Sequence, residues 1–223
     1  MTPMKAEITL RQKSAFAVQH MMAAARFSRM CGDIEIQHKG ESLGSFFDEQ
    51  ITYVSATVLL ATASLESNIN EYFSDPNAHF PEINKRVFDE ILVLIEKESI
   101  LDKYQLALVL KGEEKFVKAR SPFQDTEALI KLRNGLVHFK PEWHDEQNLH
   151  KKIEYRLKGR FEINPFIGRT GVFFPQQCMS YGCTKWAVQN ALGFMKEFSK
   201  RSGLLYRFEK FTSRLNPRSD KEI

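Results

Sequence analysis

The longest uninterrupted helical pattern in the chain, Phe46 to Phe73, constrains the fold more than any other stretch. Within it Val54, Val58, Ala61, Leu65, Ile69 and Tyr72 recur at three- to four-residue spacing and so lie along one stripe. The spacing predicts a central core helix on which the other elements must pack. Glu66 sits on the shoulder of that stripe, about 80° from Val58 at roughly 100° per residue. Its carboxylate is drawn toward the buried side, the alternative being a place at the solvent edge.

Other segments read as shorter helices around this one. Arg11 to Met30 is rich in Ala and Met without Gly or Pro, and Cys31-Gly32-Asp33 is expected to end it. A polar loop with Gly40 and Gly44 leads to Ser45, and Ser74-Asp75-Pro76-Asn77 breaks the core helix. Pro81 suits the first turn of a helix running to about Ser99. Leu101 to Leu110 is apolar nearly all round, a pattern that fits a short buried helix or a strand. Ser121-Pro122 reads as a further start, with Asp125 and Glu127 complementing the helix dipole, and Pro141 should stop that helix near Phe139. A more polar helix is expected from Glu142 to about Arg160. The long connection from Asn164 to Pro175 carries enough Phe, Ile and Val that it must pack on something. A last helix spans Gln176 to Lys200 and stops at Ser202-Gly203, and Phe208, Phe211 and Leu215 give the tail an amphipathic character. No repeat or change of composition divides the chain, so one all-α domain over 1–223 is the reading.

At 223 residues, with 43% hydrophobic and 27% charged, the chain can bury a sizeable core without metal or disulfide support. Met1 to Arg11 lacks the pattern of a secretory signal, no uncharged apolar run is long enough to span a membrane, and three cysteines cannot all pair, so a cytoplasmic protein is expected. The net charge of +4 permits nucleic-acid binding without demanding it. Lys151, Lys152, Arg156, Lys158 and Arg160 stand against Glu154 alone, and a second basic cluster runs from Lys196 to Lys221. Such clusters are either solvated helix faces or a phosphate-binding surface.

Chemistry concentrates in Leu132-Arg133-Asn134-Gly135-Leu136-Val137-His138-Phe139. On a wheel, Leu129, Ile130, Leu132, Leu136, Val137 and Phe139 form a broad apolar arc that contains Arg133. A guanidinium cannot escape burial by losing a proton, so it needs a carboxylate, a carbonyl or a bound anion, and Glu66 is the candidate partner. Asn134 and His138, four apart, share a face at the edge of the arc. Gly135 costs about 1 kcal/mol relative to Ala in mid-helix, which points to a close approach of another backbone or a ligand. The plain alternative makes Arg133 a structural ion-pair residue and His138 a buried hydrogen-bonded ring.

Arg133-Asn134-x-x-x-His138 resembles the signature of HEPN domains (higher eukaryotes and prokaryotes nucleotide-binding). The wider LRNGLVHFKPEW and the upstream SLESNINEYF look like a bacterial branch of that superfamily. The likeness covers roughly 46–143. It implies a HEPN-type helical bundle, here with extra N- and C-terminal helices, that forms a homodimer whose motif helices meet in one composite cleft. It further implies a metal-independent ribonuclease without cofactor, often a toxin or defence effector held by an antitoxin or other protein partner. Carried onto this chain, His138 would assist proton transfer at the 2′-hydroxyl or the leaving 5′-oxygen, Arg133 would stabilise charge on the transition state, and Asn134 would orient one of them or bind phosphate. Lys151, Lys152, Arg156, Lys158 and Arg160 lie outside the likeness; by their charge alone they are the candidates to line such a cleft and hold RNA. Some members of the superfamily are non-catalytic dimerisation modules, so that reading stands beside the enzyme.

Other chemistries have less to stand on. Cys178-x4-Cys183 lacks the further ligands of a zinc set, and His144 and His150 read as loop or surface residues. P-loop, dinucleotide-binding and serine-hydrolase signatures do not occur.

Overall fold

The computed structural model describes residues 13–143, 148–167 and 171–218. Among them it contains eight α-helices, two 3-10 turns and no strand. The helices are α1 (Ala17–Gln37), α2 (Phe46–Phe73), α3 (Pro76–His79), α4 (Lys85–Ile95), α5 (Ile100–Leu110), α6 (Phe123–Val137), α7 (Asn148–Leu157) and α8 (Tyr181–Ser202). The all-α expectation holds, and the apolar stretch ending at Leu110 is helix rather than strand.

Helix α2 is the central element, with Val54, Val58, Ala61, Leu65, Ile69 and Tyr72 all fully buried. Helix α1 packs antiparallel to it. Ser64 donates its hydroxyl to the Ala17 carbonyl at 2.7 Å, Thr57 lies 3.4 Å from the Ala24 carbonyl, and Gln50 donates its amide to Glu35 at 2.7 Å. Small residues on α1 (Ala17, Ala24, Ala25, Ser28, Gly32) are buried and let the two backbones approach. Cys31-Gly32-Asp33 does not end α1, which continues to Gln37. Burial of Cys31 and Gly32 within the bundle outweighs the cost of one mid-helix glycine, about 1 kcal/mol. The expected start near Arg11 is not met over 13–16, which are not helical, and α1 begins at Ala17; Arg11 itself lies outside the described residues.

Helix α8 runs parallel to α2. Its first turns meet α1, where Ser28 donates to the Thr184 hydroxyl at 2.9 Å, and near its end the rings of Phe198 and Tyr72 stand 5.9 Å apart. Expected as one helix from Gln176, this region instead forms a 3-10 turn at Gln176–Cys178 and restarts at Ser180, whose hydroxyl accepts the Cys183 N–H at 3.0 Å. A capping hydroxyl satisfies an orphan donor that an unbroken helix would not leave. Gly203, at φ 69°, ends α8 in the left-handed region as anticipated.

Helix α5 closes one side through Tyr104. Its hydroxyl donates to the Leu65 carbonyl at 2.9 Å and accepts from the Asn68 amide at 2.9 Å, while its ring stands edge-on to Phe194 and Phe198. Pro76, not Pro81, occupies a first helical turn, and α4 starts at Lys85 because the Asn84 side chain accepts the Arg86 N–H at 2.9 Å. The tail docks: Phe208 and Leu215 are buried, and the Tyr72 hydroxyl donates to the Leu205 carbonyl at 2.6 Å. No helix among the described residues is long and apolar enough to cross a membrane.

Candidate functional site

Helix α6 lies against α2 and α8 through Phe123, Thr126, Ala128, Leu129 and Leu132, all buried. Thr126 fixes its position along α8, with its hydroxyl 3.2 Å from the Asn190 side chain and 2.9 Å from the Pro122 carbonyl. The helix stops at Val137. His138 takes the cap position (φ −107°, ψ 40°) and donates its backbone N–H to the Asn134 carbonyl at 2.9 Å. Pro141 follows within three residues and bars further helix.

Helix α7 comes back across this end of α6. It buries His150 and Leu157 and half-buries Ile153 and Glu154, an i, i+3, i+4, i+7 set on an otherwise polar helix. Expected from Glu142 to about Arg160, among the described residues it spans Asn148–Leu157. Glu142 instead caps it from outside, accepting the Leu149 N–H at 2.9 Å and the His150 N–H at 3.0 Å. Partial burial raises the Glu142 carboxyl, yet these two N–H groups and the nearby His150 and Lys151 outweigh it and hold it below the usual range.

Together α6, α7 and Phe174 border a groove of about 330 Å³. It is lined by Asn134, Gly135 and His138 at the end of α6, by Lys140, by Leu149, His150, Lys152 and Ile153 of α7, and by Phe174. Gly135 shows why a glycine stands in mid-helix. A Cβ there would fall 2.6 Å from Ile153 Cδ1 and 3.1 Å from Phe174 Cζ, so the close approach is by side chains of α7 and the connection.

His150 is not the surface residue its surroundings in sequence suggest. Its ring is 6% exposed, stacks on Phe139 at 5.4 Å and meets Phe174 edge-on at 5.1 Å. Because a carbonyl can only accept, the 3.0 Å contact to the Lys140 carbonyl assigns the proton to Nε2. The signal available in sequence was the helical spacing His150-Ile153-Glu154-Leu157. His144 lies outside the described residues.

Asn134 and His138 share the groove as their spacing anticipated, but Arg133 is not among its lining residues. On α6 it lies about 140° from the position of His138 at roughly 100° per residue, on the side of the exposed Val137. The expected Glu66–Arg133 ion pair does not form. Leu136 and Phe139 share a pocket with Phe47, Ile51 and Ser55 at the beginning of α2. Glu66 lies eleven residues beyond Ser55, about 16 Å of helix rise, and lines a different groove with Asn70 and Lys103. Among the described residues no hydrogen bond or ion pair reaches the Arg133 guanidinium, the Asn134 amide or the His138 ring, although Arg133 and Asn134 are half-buried. The expectation of a buried, hydrogen-bonded His138 is therefore not met, since the residue is exposed.

The five cations after the motif divide in two. Arg156 pairs with Glu127 at 3.0 Å, Lys158 with Glu154 at 3.0 Å, and Arg160 with Asp125. Lys151 and Lys152 have no ion pair among the described residues, and with Lys131 they line a second groove of about 530 Å³ around Tyr155. Lys152 and Ile153 border both grooves. Lys158 and Arg160 border neither.

Cys31, Cys178 and Cys183 are free, buried thiols, each pushed up by burial. Among the described residues no group of three or more His, Cys, Asp or Glu side chains could hold a metal ion. No protein-family model, curated protein or solved structure matches the chain.

Proposed function

We propose that the chain is an RNA endonuclease of HEPN type, acting as a homodimer, with His138 and Asn134 at the groove and Arg133 supplied across the interface. One observation carries this reading: Asn134 and His138 line a groove with the unpaired Lys152 and are uncommitted to internal partners, and Arg133, outside that groove, is half-buried with no internal partner. A half-buried guanidinium with no carboxylate partner suits an incoming phosphate, and an exposed imidazole can give or take a proton. In the reaction the 2′-hydroxyl loses its proton and attacks phosphorus, the bond to the 5′-oxygen breaks, and that oxygen takes up a proton. The products are a 2′,3′-cyclic phosphate and a 5′-hydroxyl. His138 serves at one of the two protons, and Arg133 stabilises the charge that grows on the phosphoryl oxygens.

Dimerisation is supported by exposed apolar side chains: Ile51 (37% exposed) on α2 shares a pocket with Phe139 (43%), just past the end of α6, and Leu59 (40%) on α2 and Val137 (47%) on α6 are exposed as well. A second copy covering this apolar face would bring its own motif helix alongside, and Arg133, one turn before Val137, would sit at the seam. The same face would serve a non-catalytic dimerisation module, which the cleavage assay separates from the enzyme.

The test is purified protein with labelled single-stranded RNA in excess EDTA. Cleavage should leave cyclic phosphate ends and vanish when the strand carries 2′-O-methyl groups. His138→Ala should remove cutting with the melting temperature and dimer intact, because the ring supports nothing internal. Uncut RNA at micromolar enzyme, with a dimer present in sedimentation, would leave the module as the function.

A further inference from the structure

Resting on the ribonuclease reading, we propose that Tyr155 is a base-stacking subsite for single-stranded RNA, with Lys131, Lys151 and Lys152 carrying the phosphates between it and His138. Tyr155 is 90% exposed, the highest value for any large hydrophobic side chain among the described residues. No ring contact or hydrogen bond holds it there. Its position follows from the amphipathic character of α7. Burial of His150 and Leu157, with Ile153 half-buried between them, turns Lys151, Lys152 and Tyr155 to the opposite face, where they are neighbours at i−4 and i−3. An aromatic ring that covers none of its own protein, flanked by cations, matches the way single strands are bound: bases lie on rings while ammonium groups track the backbone.

The pairing of charges sharpens the assignment. Arg156 lines the Tyr155 groove but is engaged by Glu127, so the charge available to a ligand there comes from Lys131, Lys151 and Lys152. This groove joins the His138 groove through Lys152 and Ile153. One helical turn, about 5 Å of rise, separates Lys152 from Tyr155, so a strand stacked on Tyr155 has its neighbouring phosphates at the shared lysine. A duplex keeps its bases paired and stacked on one another, which leaves no face for Tyr155. The subsite therefore selects unpaired segments.

Binding is measured by fluorescence anisotropy on the full chain with a labelled 2′-O-methyl 12-mer, which cannot be cut, and with the same sequence as a duplex. Tyr155→Ala should weaken the single strand by about fivefold to a hundredfold without moving the melting temperature or the duplex affinity. Tyr155→Phe and Tyr155→Trp should stay within about twofold. Replacing Lys151 and Lys152 by Ala should lower the slope of log affinity against log salt by about 1.4. An affinity unchanged in Tyr155→Ala, or lost equally in Tyr155→Phe, overturns the subsite. Cleavable RNA run in parallel separates the two claims. Tyr155-dependent binding without cleavage retains the subsite and removes the nuclease, whereas cleavage indifferent to Tyr155 does the reverse. Absence of binding to either strand overturns the subsite as well.

Discussion

Replacing Glu35 by Gln should change how the fold responds to pH. The Glu35 carboxylate joins three helices: it accepts the Gln50 amide from α2 at 2.7 Å and the Tyr181 backbone N–H of α8 at 2.7 Å, while its own chain belongs to α1. Burial pushes its carboxyl up from an ordinary 4.5 to about 7, and the hydrogen bonds from Tyr181 and Gln50 oppose that rise without cancelling it. An acid raised in the folded state binds its proton more tightly there than in the unfolded chain. Its contribution to stability is thus fully present below pH 4.5 and is lost as pH rises to about 7. At about 1.4 kcal/mol per pH unit the loss totals about 3 kcal/mol. Glu35→Gln keeps the shape and an acceptor oxygen but cannot ionise. Urea unfolding of both proteins at pH 4.5, 6 and 8 should give similar stabilities at the lowest pH and a gap in favour of the variant that grows toward about 3 kcal/mol at the highest. Parallel stability curves, or a variant less stable throughout by a constant amount, would refute the reasoning.

Two further substitutions test the architecture around the site and the core. Gly135→Ala gains about 1 kcal/mol of helix propensity but overpacks against Ile153 and Phe174, at a cost of about 1–3 kcal/mol. A net loss is expected in chemical denaturation, and Ile153→Val, which removes the Cδ1 atom 2.6 Å from the added methyl, should recover most of it in the double variant. Tyr104→Phe leaves the Asn68 amide without its acceptor and the Leu65 carbonyl without that donor, so a loss of about 1–3 kcal/mol is expected in urea unfolding. A change below 0.5 kcal/mol would mean the pair carries little of the core's specificity.

What could be read from the chain follows the reach of each interaction. Helix α2 begins and ends at the predicted Phe46 and Phe73 because its stripe and its breaker are local properties, and the stop of α6 ahead of Pro141 is likewise a matter of neighbouring residues. Asn134 and His138 share a groove since spacing along one helix decides it. Relations between elements escape the sequence. Asp125 and Glu127 read as dipole partners of their own helix, but they neutralise Arg160 and Arg156, and this leaves two of five cations unpaired. The distance from Glu66 to Arg133 depends on the register of α6 on α2, which no periodicity encodes. His150 looked exposed because its helix is polar, and only the return of α7 over Phe139 and Phe174 buries it.

That buried imidazole has a consequence for genetics. Lys151 and Lys152 follow His150 directly, and their ammonium groups owe their location to a ring clamped between two phenylalanines and tethered to the Lys140 carbonyl. If the ribonuclease proposal holds, a selection for inactive variants would therefore recover Phe174 and His150 alongside the residues facing RNA. Read without the structure, such a map would mistake a hinge pin for a catalyst. A lysine displaced by such a lesion could be replaced by a new cation elsewhere on α7, whereas a lost proton-transfer group could not.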